Sequence, residues 1–195
     1  MVLSKSTNLT EFINHYLNLG FDQIFILDNN DEPISYNNVT IIPYNNIPLF
    51  DWVEFQSTAY DYALRIIKQT DYNYLLVVDD DEYLNLKTYS NIKDFIKHEM
   101  LVKGIFNCDF IWETYDDNDI IYEKDVKDSI QETYTRKLSY GKFSDICHID
   151  WTKSLFRIFP ETSFHDTANP GHHPNLNYNE NPIDPKIAVL KHYRT

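Results

Sequence analysis

The chain has 195 residues, 43% of them hydrophobic, enough to bury roughly 70% of its unfolded surface around one core, so a single domain over residues 1–195 is expected. Its 30 acidic and 17 basic side chains give a formal net charge of -13, a field that repels DNA, RNA and anionic lipid headgroups and excludes nucleic-acid binding by charge. No run approaches the roughly 20 apolar residues of a membrane span, and the opening MVLSKSTNLTEF lacks the basic start and apolar centre of a signal peptide, which predicts a soluble chain with no leader.

Val2, Leu3 and Ser4 are a candidate first strand. In NLTEFINHYLNLGF the residues Leu9, Phe12, Ile13, Tyr16 and Leu17 recur at helical spacing, with Asn8 and Glu11 as a capping box and Gly20 as a left-handed stop. The unbroken apolar run over residues 24–27 predicts a strand covered on both faces, ending in Asp28, Asn29 and Asn30. VTIIP follows as a shorter strand stopped by Pro43. Asp51 and Glu54 then offer a capping box for a helix carrying Val53, Ala59, Tyr60, Ala63, Leu64 and Ile67. YLLVV is a second buried-strand run, and it ends in Asp79, Asp80, Asp81 and Glu82.

Strand and helix alternating in this way predict an α/β fold with right-handed crossovers and a mostly parallel central sheet flanked by helices. Ligands of such sheets sit beyond the carboxyl ends of the strands. The polar residues after residue 27 and after residue 78 are therefore expected to meet in one crevice. Farther on, IKDFIKHEM reads as a short helix and GIFNCDFIW as a strand. Residues 113–128 read as a long acidic loop over the site, residues 160–185 as irregular, and IAVLKHYRT as a last strand. Cys108 and Cys147 form no CxxC pair and are too few for a disulfide framework, which favours a reducing compartment.

VVDDDEYL carries the strongest chemical signal. On an extended strand Asp79 and Asp81 point to one side and Asp80 to the other. Carboxylates this close repel, so they must be solvated, partly protonated or bound to a cation. Hard divalent ions such as Mn²⁺ or Mg²⁺ take oxygen ligands and leave places open for phosphate. A chain that repels anions needs such an ion to hold a phosphorylated substrate. Lys153 and Arg157, at i and i+4 on a strand, share a face and could hold diphosphate oxygens, with a salt bridge as the plainer reading. His165, His172 and His173 lack the cysteines or the HExxH spacing of a zinc site and read better as loop imidazoles near substrate. Trp112, Trp151 and the tyrosines offer faces for sugar rings, although most of the 15 Tyr, 12 Phe and 3 Trp must be core.

The stretch TEFINHYLNLGFDQIFILDNND followed by YLLVVDDDEYL, with KSLFRIF, SFH and a closing HYRT, resembles small glycosyltransferases of the GT-A fold, of the family 2 and family 92 type, compact virus-encoded members included. The resemblance implies that Asp79 touches the donor ribose or the metal and that Asp81 is a direct metal ligand. It implies that Asp28, with Asn29 beside it, lies near the nucleotide, that Asp80 belongs to the same donor-binding turn, and that His192, or else His165, joins the metal or the diphosphate. A cytoplasmic protein is then expected, in the host cytoplasm if the source is viral.

In this reading Mn²⁺ or Mg²⁺ neutralises charge developing on the leaving nucleoside diphosphate, while a hydroxyl of a glycan acceptor attacks the anomeric carbon. An inverting enzyme also needs a carboxylate to take the hydroxyl proton. The candidates are Glu113, Asp109 and Asp116, with Glu113 preferred because Trp112 adjoins it. A retaining enzyme needs none, and the residues leave the stereochemistry open. The expected activity is thus metal-dependent sugar transfer from a nucleotide-sugar, first a UDP-sugar. A metal-dependent phosphohydrolase or nuclease and a noncatalytic carbohydrate-binding module are the alternatives.

Overall fold

A computed structural model of the chain describes residues 1–4, 9–30, 34–44, 52–116, 131, 136–137, 152–164, 174 and 182–193. The expected first strand forms as β1 (Val2–Ser4) and the first helix as α1 (Thr10–Asn18). Leu9 occupies the cap position of α1 with no side-chain cap bond; its backbone N–H donates instead to the Tyr36 hydroxyl at 2.9 Å. Asn8, the expected cap, lies outside the described residues. Gly20 ends the helical segment at φ 86°, in the left-handed region where a side chain is strained.

β2 (Ile24–Asp28), β3 (Val39–Pro43), α2 (Trp52–Ile67) and β4 (Tyr74–Leu76) follow, with β2 buried at all five positions. β1, β2 and β3 pair in parallel. Met1 extends this set. Its nitrogen donates to the Leu76 carbonyl at 2.8 Å and its carbonyl accepts from Val78 N–H at 3.1 Å, a parallel step that joins β1 to β4.

Beyond β4 the chain turns back as β5 (Glu82–Leu86), a strand where the sequence offers only an acidic turn. The short helix expected over residues 92–100 forms as α3 (Ile92–Phe95) continued by a π-helical segment, Ile96–Leu101. β6 (Asn107–Asp116), β7 (Arg136–Lys137), β8 (Thr152–Arg157) and β9 (Ala188–Tyr193) complete the described elements. Residues 113–116, expected to open a loop, are the end of β6. The strand order here is β4-β8-β6-β9-β5, with β7 on β6.

The fold is mixed α/β, but the sheet is not mostly parallel. Of the seven ladders among the described residues, β4–β8, β5–β9, β6–β7 and β6–β8 are antiparallel. Among the described residues, parallel pairing is found on the β1, β2, β3 and β4 side, in β6–β9 and in an isolated bridge between Asp109 and Pro182. Among the described residues no helix is long and apolar enough to cross a membrane.

Strand alternation divides the apolar side chains between two cores. Val2, Ile24, Ile26, Leu76 and Val78 pack with Phe12, Ile13 and Tyr16 of α1, and this core continues under β5, β6, β8 and β9. Phe25, Leu27, Leu75 and Val77 pack with Ala59, Tyr60, Ala63, Leu64 and Ile67 of α2. From β1 the chain runs through α1 to β2 on one side, and from β3 it returns through α2 to β4 on the other. The reversal falls between β1 and β4, and ligands of open α/β sheets bind beyond the carboxyl ends of strands at such a switch point.

β5 is an edge strand whose outward backbone groups face α1. The Tyr16 hydroxyl donates to the Glu82 carbonyl at 2.8 Å and accepts from Leu84 N–H at 3.3 Å, and His15 Nε2 lies 2.9 Å from the Leu84 carbonyl. These bonds seal the edge and fix where β5 begins. Tyr16→Phe leaves the buried Glu82 carbonyl and Leu84 N–H without that partner, and a loss of about 1–3 kcal/mol is expected in urea unfolding; an unchanged midpoint would contradict the role given to the hydroxyl.

Candidate active site

The apolar run of β4 ends at Val78, and the next four residues are a tight turn rather than an extension of the strand. Glu82 N–H donates to the Asp79 carbonyl at 3.2 Å, and Asp79 N–H donates to Glu82 Oε2 at 2.7 Å. The strict alternation expected for Asp79, Asp80 and Asp81 is therefore replaced by three separate directions.

Asp79 faces β8, where the Lys153 ammonium donates to its Oδ2 at 2.7 Å. The same Lys153 nitrogen lies 3.5 Å from Glu82 Oε2, and both Lys153 and Glu82 are wholly buried. Asp80 faces β1, accepting from the Ser4 hydroxyl at 2.5 Å. Asp81 faces β9: its Oδ2 is 3.4 Å from His192 Nε2, and its carbonyl accepts from Tyr193 N–H at 3.0 Å. Register explains the meeting, since Glu82 lies opposite His192 and Phe110 opposite Lys153. The Trp112 ring lies 4.2 Å from the His192 ring, and Lys153 Nζ is 5.8 Å from the Trp112 centroid. The Tyr60 hydroxyl of α2 reaches Asp79 Oδ1 at 3.5 Å.

The polar residues after β2 join this turn through β1. Asn29 N–H donates to the Ser4 carbonyl at 3.1 Å, and Ser4 in turn holds Asp80. Asp28 itself is buried and spent on its own loop: Oδ1 accepts from the Asn30 backbone at 3.0 Å and side chain at 2.7 Å, and Oδ2 from Ile34 N–H at 3.1 Å. It shapes the rim instead of presenting an open carboxylate.

Other expected residues are not gathered here. Glu113 and Asp109 alternate with Trp112 and Phe110 along β6 and so lie on the face opposite Lys153 and His192. Glu113 pairs with Lys87 at 3.1 Å and accepts from the Tyr115 hydroxyl at 3.3 Å; Asp109 is buried and accepts from the Ser154 hydroxyl at 2.6 Å. Arg157 sits opposite Tyr74, at the start of β4, and packs 5.5 Å from the Phe159 ring. Four residues separate it from Lys153, about 13 Å of strand, so the two cations share a face but not a site. The Asp116 backbone pairs with Arg136, while its side chain, His165, His172, His173, Trp151 and Cys147 lie outside the described residues. Sequence reasoning missed Ser4 and Tyr60, because nothing in a strand-ending Ser or a helical Tyr marks its partner.

The donor set suits a hard divalent ion held by few protein groups. Among the described residues no cluster of three or more His, Cys, Asp or Glu side chains is arranged to cage an ion. The pair Asp81 and His192 remains, with His192 Nε2 facing Asp81 Oδ2 at 3.4 Å, while the other ring nitrogen, Nδ1, is buried with no hydrogen-bond partner among the described residues. Such a pair fits an ion that keeps most of its positions for water and phosphate oxygens. Glu82 Oε1 is likewise buried without a hydrogen-bond partner among the described residues. The chain matches no known protein-family model and no curated protein.

Burial pushes the Glu82 carboxyl well above its ordinary range, with Lys153 opposing, and burial raises Asp80 against the Ser4 hydroxyl. A carboxyl raised in the folded state holds its proton more tightly there, so its contribution is full below the unfolded value of 4.5 and is lost as pH rises through the folded value. Urea unfolding from pH 4.5 to neutrality should show this decline, and Glu82→Gln should flatten it; an identical slope in the variant would contradict the assignment.

Proposed function

We propose that the chain is a metal-dependent glycosyltransferase that moves a sugar from a nucleotide donor, a UDP-sugar in the first instance, to a hydroxyl of a glycan acceptor. The observation that carries this reading is the acid turn at the carboxyl end of β4, beside the strand-order reversal, with Asp81 Oδ2 3.4 Å from His192 Nε2. The parallel β1, β2, β3 and β4 half, with α1 and α2 on opposite faces, supports a GT-A-like arrangement as the finer description of the fold.

Asp81 and His192 would hold Mn²⁺ or Mg²⁺, which when bound offsets the charge that develops on the departing diphosphate. The chain's own residues do the rest. Lys153 is wholly buried and already holds Asp79, so it would steady the turn and leave the phosphate to the ion. Asp80, tied to Ser4, fixes the turn against β1, and the Trp112 ring beside His192 offers an apolar wall where a sugar ring can stack. In the transfer the acceptor oxygen bonds to the anomeric carbon, the bond from that carbon to the diphosphate oxygen breaks, the nucleoside diphosphate leaves with the electron pair, and the hydroxyl proton passes to the departing diphosphate oxygen or to water. Glu113 faces the other side of β6 and is engaged by Lys87, so it does not serve as the base that takes the acceptor proton.

With Mn²⁺ the protein should release UDP from a UDP-sugar. Asp81→Asn should lower that turnover at least about a hundredfold, since even groups behind metal ligands act on a 10- to 100-fold scale, with the circular-dichroism spectrum unchanged. Turnover retained in the variant would contradict the proposal, as would a parent protein that releases no UDP from any UDP-sugar of a broad panel.

A further inference from the structure

The four acids of the turn are not equivalent, and Lys153 is the reason. Its ammonium, wholly buried on β8, holds Asp79 Oδ2 at 2.7 Å and lies 3.5 Å from Glu82 Oε2. That second oxygen also accepts the Asp79 backbone N–H at 2.7 Å. One internal cation therefore grips the first and last acids of the turn together. The two middle acids are held elsewhere, Asp80 by Ser4 and the Asp81 backbone by Tyr193, and only the Asp81 carboxylate is directed at His192.

We infer that Lys153 is a positioning residue that sets how many protein donors a divalent ion can take at this turn: by holding Asp79 it leaves Asp81 and His192 as the ligand pair. The inference rests on the reading of the turn as a divalent-ion seat given above. Its physical content is a limit on affinity. A hard ion gripped by several carboxylates is held tightly and surrounds itself with protein oxygen, whereas one carboxylate and one imidazole leave most positions to exchangeable ligands such as diphosphate oxygens. The ammonium also adds a like charge close to the seat, in surroundings less screening than water. An acidic turn that would otherwise trap a cation is thereby kept open to a substrate-bridged one.

The test needs no nucleotide and no activity. Mn²⁺ binding to the full chain is measured by the electron paramagnetic resonance signal of the free ion, with melting temperatures to establish that each variant is folded. Asp81→Asn and His192→Gln should each weaken binding strongly, by about a hundredfold for the carboxylate, whereas Asp79→Asn should weaken it by no more than about threefold. Lys153→Met, which takes away the ammonium that holds Asp79 Oδ2 and removes the opposing charge, should bind Mn²⁺ roughly tenfold more tightly. A merely structural lysine would give no tightening. Asp79→Asn weakening binding as much as Asp81→Asn would overturn the inference while leaving the seat itself standing, and so would a folded Lys153→Met with unchanged or weaker affinity. Should Lys153→Met fail to fold, the two aspartate variants decide alone. A parent protein that binds no Mn²⁺ would overturn the seat and the inference together.

Discussion

A lysine ammonium with no access to water is the constraint around which the acid turn is built. Lys153 is wholly buried, and a buried charge persists only where partners replace the hydration it lost. Those partners are Asp79 and Glu82, the two ends of a turn more than seventy residues earlier in the chain. The ion pair thus fastens β8 to the junction of β4 and β5. It also makes a run of four consecutive acids compatible with a folded turn, since Glu82, wholly buried and raised by burial, would otherwise face Asp79 with no cation between them.

The sheet delivers the rest. β1 is only three residues long, yet it stands between β2 and β4, where the helices change sides, and its last residue Ser4 touches both polar clusters. α1 serves the site indirectly. Its Tyr16 and His15 occupy the open edge of β5, which fixes the strand that carries Glu82 and, through the register with β9, places His192 opposite it. The geometry of the turn therefore depends on pairings made by the helix on the far side of β5, a dependence that couples its shape to stability.

The N-terminal half was legible because its signals are local. The unbroken apolar runs of β2 and β4 and the helical spacing of Phe12, Ile13 and Tyr16 each announce an element, and carboxylates placed directly after Val78 announce a strand end. The second half obeys tertiary rules instead. A parallel neighbour needs a crossover of a dozen or more residues, usually a helix, and among the described residues after β5 the helical elements are α3 and its π-helical continuation, so a mostly parallel sheet did not form there.

Which side of β6 carries Trp112 and which carries Glu113 is a question of register, and a one-residue difference reverses the answer. That is why Glu113, a fitting base in sequence, lies in the fold on the face of β6 opposite Lys153 and His192. Lys153 and Arg157 show the same gap between periodicity and distance: alternation assigns a face, but only the pairing of Arg157 with Tyr74 reveals that it stands at the opposite end of β4. Asp28 was found as a strand-end acid, and only its bonds to Asn30 and Ile34 disclose that both oxygens are already committed.

The account is tested most directly by a crystal structure grown with Mn²⁺ and UDP, with the ion located by its anomalous scattering. The account predicts one Mn²⁺ peak bonded to the Asp81 carboxylate and to His192, with diphosphate oxygens completing its shell and Asp79 still held by Lys153. A peak bridging Asp79 and Asp81 with the lysine displaced, or Mn²⁺ bound away from the turn, would contradict it.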